Sequence, residues 1–234
     1  MLDEIINFFF PKTCVATKKE GEYLSKDGRK ELIPHPEICP ASHRFSRNFR
    51  TLPGYQKDCA LEGIHIGFYY GNYLKKLILK LKYYHQKDVI DTLVDRLLLS
   101  VQTNTILWSC LNNGSCCLSY VPSHRWRKFF YKGYNQSELL AQNIAERLMV
   151  PYVSIAKKSR YTKSQTKLSR AKRIKNIQGS FLLKNTEDFI LYDTIIIIDD
   201  IVTTGTTINE LGLLVKSKFP YKKIRGLVLG RHNK

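Results

Sequence analysis

The chain alternates between stretches of clear apolar periodicity and stretches with none, and their order predicts the fold. Residues 11 to about 63 hold five prolines and no sustained period. Such a stretch needs a metal or a host surface to hold it together. From Tyr69 the texture changes. Leu74, Leu77, Ile78 and Leu81 fall at helical spacing, and so do Val89, Leu93, Val94 and Leu97 after a polar break at 85–88. Cys116 to Val121 reads as a buried strand, and Ser137 to Leu148 as a helix with Leu139, Leu140, Ile144 and Leu148 on its inner face. Short strands are predicted at Val153 to Ala156 and at Phe181 to Leu183. Tyr192 to Ile198 ends in four consecutive isoleucines, the signature of a strand buried on both faces. A helix over Thr207 to Ser217 and a closing strand over Ile224 to Leu229 follow. Strands alternating with helices predict an α/β fold, a mostly parallel sheet flanked by helices over residues 67–234. A small loop-rich segment, residues 1–66, precedes it.

The isoleucine strand carries the chemistry. Asp199 and Asp200 stand at its carboxyl end, where open α/β sheets bind ligands. Thr203, Thr204, Gly205, Thr206 and Thr207 then lead into a helical pattern. Backbone N–H groups at such a loop and helix start suit a phosphate, and Gly205 permits a positive φ or a close approach. The two acids suit sugar hydroxyls, directly or through hydrated magnesium. Together they predict a sugar-phosphate site.

Charge changes the picture of the surroundings. The 234 residues carry a formal net charge of +18 and a pI near 9.7, which implies attraction to polyanions. Nine basic residues fall between 157 and 175 with no acid among them: Lys157, Lys158, Arg160, Lys163, Lys167, Arg170, Lys172, Arg173 and Lys175. Such a run is a solvated face, a lid over pyrophosphate, or a nucleic-acid surface. Trp126, Phe129, Phe130, Tyr131, Tyr134 and Tyr161 flank it, as core residues or as platforms for unpaired bases. A second basic loop opens after Val121-Pro122-Ser123-His124, with Arg125, Lys128 and Lys132 ahead of Asn135 and Gln136 at a helix start. It offers mobile cations to a second phosphate. Leu2 to Phe10 is apolar in places, but Asp3 and Glu4 interrupt it and it is too short to span a bilayer. It is expected to pack as a short helix, and the protein is expected in the cytoplasm.

The Asp199 to Thr207 run resembles the phosphoribosyl pyrophosphate motif of type I phosphoribosyltransferases. The wider order of blocks resembles the ComF (or GntX) family of competence-associated proteins. Those blocks are Val121 to His124, Lys132-Gly133-Tyr134-Asn135-Gln136, Arg160 with Gln165, Arg173 with Asn176, Gly179 with Phe181, and the acidic motif. Lys132 stands where that family has arginine, which keeps the charge but loses the planar fork. The resemblance implies phosphoribosyl pyrophosphate bound with magnesium by Ser123, His124, Asp199, Asp200 and the Thr203 to Thr207 loop. Arg125, Lys128, Lys132 and Arg160 would face its pyrophosphate. It further implies a part in DNA uptake, with single-stranded DNA over Lys157, Lys158, Arg160, Lys163, Lys167, Arg170 and Arg173, and with competence-machinery partners. The alternative implication is an active phosphoribosyltransferase, Asp199 and Asp200 being catalytic, that acts on a base or amine the sequence does not identify.

ComF-like proteins begin with C-x-x-C pairs that read as a zinc ribbon. Here Cys14 is followed by Thr17, Cys39 by Ser42, and Cys59 is preceded by Gln56. These three thiols with His35 or His43 would make a zinc site of three cysteines and one histidine. The preferred reading is a degenerate ribbon held by packing.

Overall fold

The computed structural model of the chain describes residues 12–57, 59–83, 89–123, 134–159, 177–184 and 187–232. Among these, four strands make the main sheet, all parallel, in the order β1-β6-β5-β2. In chain order the elements are β1 (Leu61–Tyr69), α1 (Asn72–Tyr83), α2 (Val89–Val101), α3 (Thr105–Asn112), β2 (Cys116–Tyr120) and α4 (Gln136–Leu148). Then come β3 (Ala156–Lys158), β4 (Phe181–Leu183), α5 (Glu187–Ile190), β5 (Thr194–Val202), α6 (Thr206–Lys216) and β6 (Lys223–Arg231). The α/β architecture expected from the sequence is the one observed.

β5 lies between β6 and β2, and its isoleucines explain why. Ile196 and Ile198 join one core cluster with Leu77, Leu93, Leu140 and Ile144 of α1, α2 and α4. Ile195 and Ile197 join the other with Ile208 and Leu211 of α6 and Phe189 of α5. Successive side chains of a strand point to opposite faces, so an unbroken apolar run fits only a strand covered on both sides. All four isoleucines are fully buried, and each contributes roughly 1.5–3 kcal/mol through that burial.

Two expectations are corrected, and one element is added. The segment read as loop-rich up to about residue 63 contains the start of β1, so the division between residues 66 and 67 falls inside a strand paired with β6 from Leu61 to Tyr69. Ile64, Ile66 and Phe68 alternate with His65 and Gly67 as a strand does, a signal that the reading passed over because glycines at 63 and 67 weaken strand propensity. The strand expected over Val153 to Ala156 is displaced. Tyr152 makes a parallel bridge to Leu118, and the strand itself is Ala156–Lys158, antiparallel to β4. α3 was not foreseen; its start is fixed by Asn104, whose side chain accepts the Leu107 N–H.

The loop-rich segment takes the outer edge of β1 as its host surface. His35 N–H donates to Gly67 O over 3.1 Å, Tyr69 N–H to Ile33 O over 3.0 Å, and Thr51 N–H to Glu62 O over 2.8 Å. These bonds cover an edge that would otherwise present unpaired backbone groups.

His65 in β1 is 3% exposed. Its Nε2 lies 3.0 Å from Ser100 Oγ, whose hydroxyl donates to Leu97 O over 2.7 Å, and Asn104 Nδ2 lies 3.4 Å from its Nδ1. This arrangement suits the neutral ring with hydrogen on Nε2. Burial pushes the imidazole down from 6.5 to about 3. The unfolded chain therefore takes up the proton first, and stability supplied above pH 6.5 is lost as pH falls toward 3. The expected slope from this group is about 1.4 kcal/mol per pH unit below 6.5. Urea unfolding between pH 7 and 4 checks it: His65→Gln should be less steep than wild type by that amount, and equal slopes contradict the reading.

Candidate functional site

The site is assembled where β2 and β5 part. β2 pairs with β5 from Cys116 to Tyr120, opposite Thr194 to Ile198, and Val121 N–H still donates to Ile198 O over 3.0 Å. β5 continues alone on that side, paired only with β6 from Asp199 through Val202. The acids thus belong to the second half of the strand rather than to the loop after it. They are half-buried at the rim left by the shorter neighbour.

Their carboxylates are fixed locally. Asp199 Oδ1 accepts the Ser137 hydroxyl over 2.7 Å and the Asp200 N–H over 2.9 Å, while Asp200 Oδ1 accepts the Ile201 N–H over 2.7 Å. Ser137 is the second residue of α4. Asn135 holds that helix in place: its Oδ1 accepts the Ser137 N–H, and its Nδ2 donates to Val121 O over 2.9 Å. The end of β2, the start of α4 and the acids of β5 form one connected unit. Sequence reasoning passed over Ser137; the signal was its place at a helix start immediately after Asn135 and Gln136.

The threonine loop stands beside this unit. Gly205 has φ of 73° and caps α6. A β-carbon there would meet no heavy atom within 4 Å, so the space above it is open. A left-handed glycine with open space at the start of an 11-residue helix is a fitting cradle for a phosphate. Thr204 Oγ1 and Thr206 Oγ1 lie 2.7 Å apart. The loop is tied down behind by Arg231 Nε donating to Thr203 O over 3.1 Å and by His232 N–H donating to Val202 O over 2.8 Å. Arg231 is a second residue that the sequence reading missed. A small crevice lined by Ile38, Pro40, His43, Thr203, Thr204 and Arg231 brings the loop-rich segment against the cradle.

Two polar atoms on this rim are buried and have no partner among the described residues: Ser123 Oγ and Gln136 Nε2. Orphaned polar groups are costly in the absence of a ligand or water. The residues present therefore fit a phosphorylated sugar with magnesium: acids for hydroxyls or hydrated metal, a phosphate cradle, and unspent hydrogen-bonding capacity between them.

The remaining site residues divide sharply. Lys157 is exposed on β3, and Lys158 Nζ sits 5.6 Å from the Phe181 ring centroid. Tyr134 is partly buried against the main core, and its hydroxyl donates to Leu81 O. It is a packing residue rather than a base platform. His124, Arg125, Lys128, Lys132, Arg160, Lys163, Lys167, Arg170 and Arg173 lie outside the described residues.

The three cysteines proposed for zinc are not brought together. Cys14 Sγ accepts N–H groups of Thr17 and Ser25, whereas Cys39 and Cys59 meet the Thr51–Leu52 turn. Among the described residues no group of three or more His, Cys, Asp or Glu is placed to hold a metal ion. Burial raises the Cys14 thiol, but hydrogen bonds from Ser25 and Thr17 outweigh it and bring the thiol down to about 6. Burial pushes Cys59 up.

Comparison with known proteins agrees with this geometry. Residues 135–233 match the phosphoribosyl transferase domain. Over 97 residues the chain is 33% identical to Competence protein F of Haemophilus influenzae, covering 41% of this chain and 42% of that protein. Over 204 residues it is 27% identical to the DNA utilization protein YhgH of Escherichia coli K12, covering 78% and 86% respectively. The chain thus spans less than half the length of Competence protein F in that match, but most of YhgH. Among the described residues no helix is long and apolar enough to cross a membrane. The phosphoribosyl transferase match, the parallel sheet with its acidic strand end, and the similarity to Competence protein F and YhgH together support a ComF-type protein built on that domain.

Proposed function

We propose that this protein binds phosphoribosyl pyrophosphate with magnesium at the carboxyl ends of β5 and β2, and that it acts in DNA uptake. The observation that carries the first half is the meeting of Asp199 and Asp200 with the open Gly205 cradle and the orphaned Ser123 Oγ and Gln136 Nε2. The 5-phosphate lies on the Thr203 to Thr207 loop, where N–H groups and the helix dipole face it. Asp199, oriented by Ser137, and Asp200 take the ribose hydroxyls or the water shell of the metal. Bound magnesium supplies charge neutralisation at the pyrophosphate. Neutralising the pyrophosphate is the role that falls to the cations Arg125, Lys128, Lys132 and Arg160.

Support for the second half comes from the relatives, which are named for competence and for DNA utilization, and from the net charge of +18. Single-stranded DNA runs along the 157–175 stretch, with contacts mainly to phosphates. A second reading, transfer of the phosphoribosyl group to a base or amine, is favoured by both acids standing at the rim. Pyrophosphate release with candidate acceptors separates the two.

Ligand-dependent stability tests the site. Phosphoribosyl pyrophosphate with magnesium at 100 times its dissociation constant should stabilise the fold by about 2.7 kcal/mol, and ribose should not. An unfolding transition unmoved by phosphoribosyl pyrophosphate and by ribose 5-phosphate contradicts the assignment.

A further inference from the structure

Two short turns of the loop-rich segment face each other. In the first, Thr17 N–H donates back to Cys14 Sγ over 3.4 Å. In the second, Gly28 N–H donates back to Ser25 Oγ over 3.2 Å. Each turn sets an acceptor at its first position and an N–H at its fourth, the spacing of paired ligands in structural zinc sites. The turns are joined directly. Ser25 N–H donates to Cys14 Sγ over 3.3 Å, Ser25 Oγ lies 3.4 Å from that sulfur, and Thr17 Oγ1 lies 3.2 Å from Ser25 Oγ. The fourth position aims at the same point. A β-carbon at Gly28 would stand 3.1 Å from Cys14 Sγ and 3.3 Å from Ser25 Oγ.

These residues do not fit zinc. One thiol, two hydroxyls and a glycine hold the four positions, whereas zinc is bound by Cys, His, Asp or Glu. The facing atoms lie 3.2 to 3.4 Å apart, at hydrogen-bonding distance from one another. Their hydrogen bonds close on themselves: two N–H groups point at the sulfur, and a third points at the Ser25 hydroxyl. The result is a satisfied polar knot, with Cys14 and Gly28 buried and with Val15, Tyr23 and Leu24 anchored in the main core beside it.

We infer that hydrogen bonding among Cys14, Thr17, Ser25 and Gly28 fastens these two turns in place of a metal, on a backbone that would take one zinc ion if all four positions were thiols. Folding of the segment is then independent of metal supply, while the geometry of a four-thiolate centre persists.

The test compares wild type with T17C/S25C/G28C, both expressed with added zinc and purified without chelator. The wild type should carry less than about a tenth of a zinc per chain, with a melting temperature unmoved by EDTA. The triple variant should gain one zinc per chain, lose melting temperature on chelation, and show tetrahedral thiolate absorption with cobalt. Ser25→Ala keeps the proposal exposed should the triple variant not fold. It removes the central hydroxyl and should lower the melting temperature by several degrees, equally with and without EDTA. Stoichiometric zinc in the wild type overturns the inference. So does a folded triple variant that binds no cobalt, or a Ser25→Ala protein as stable as wild type.

Discussion

Replacing Asp199 and Asp200 together with asparagine should weaken magnesium-dependent binding of phosphoribosyl pyrophosphate at least a hundredfold and leave the fold intact. Asparagine preserves the local contacts. Its carbonyl can still accept the Ser137 hydroxyl and the N–H groups of residues 200 and 201, which the carboxylates accept now. What disappears is two negative charges at the rim of β5. Hydrogen bonds to charged groups are worth about 1.5–3 kcal/mol each, so losing both removes about 3–6 kcal/mol, or two to four orders of magnitude in affinity. Alanine would confuse this with the loss of Ser137's partner and a loosened α4 start. Titration of both proteins with ligand and magnesium measures the difference. A double variant that binds within threefold of wild type means that the acids do not hold the sugar.

DNA affinity should collapse with salt, and to the same degree in the double asparagine variant. A single strand neutralised through about six phosphates gives log K a slope near −4 against log salt. Between about 50 and 200 mM salt that is a loss of a few hundredfold. Fluorescence anisotropy of a labelled oligonucleotide across that range measures the slope. Charge reversal at Lys157, Lys158, Lys163 and Lys167 should flatten it by removing contacts. A slope near zero in the wild type contradicts a DNA interface built on this charge. A slope that changes in the double asparagine variant means that Asp199 and Asp200 take part in DNA binding.

The sequence displayed the centre of the fold more plainly than its edges, for physical reasons. Four adjacent isoleucines can only be buried on both faces, so β5, its acids and the Gly205 loop were legible directly. β1 was not, because its strand character comes from pairing with β6 and from the Ile33–His35 segment along its other edge. Ile64, Ile66 and Phe68 do alternate with His65 and Gly67, but five positions interrupted by glycine are a short signal beside an unbroken isoleucine run. Ser137 and Arg231 escaped notice because one helix-start serine or one strand-end arginine carries no signal until the fold brings it to Asp199 or Thr203. The Cys14 and Thr17 spacing was visible, but its facing pair was not, since Ser25 and Gly28 have no ligand chemistry to announce them. The lengths of the strands also mattered. β2 ends opposite Ile198 while β5 runs to Val202, and this mismatch, which no local pattern encodes, creates the rim.

The most direct test is isothermal titration of the wild-type protein with phosphoribosyl pyrophosphate, with and without magnesium. Occupation of one site per chain, with affinity falling at least tenfold when the metal is withdrawn, is the result expected of paired acids beside a phosphate cradle. Absence of binding at millimolar ligand with magnesium present, or binding indifferent to the metal, would contradict it.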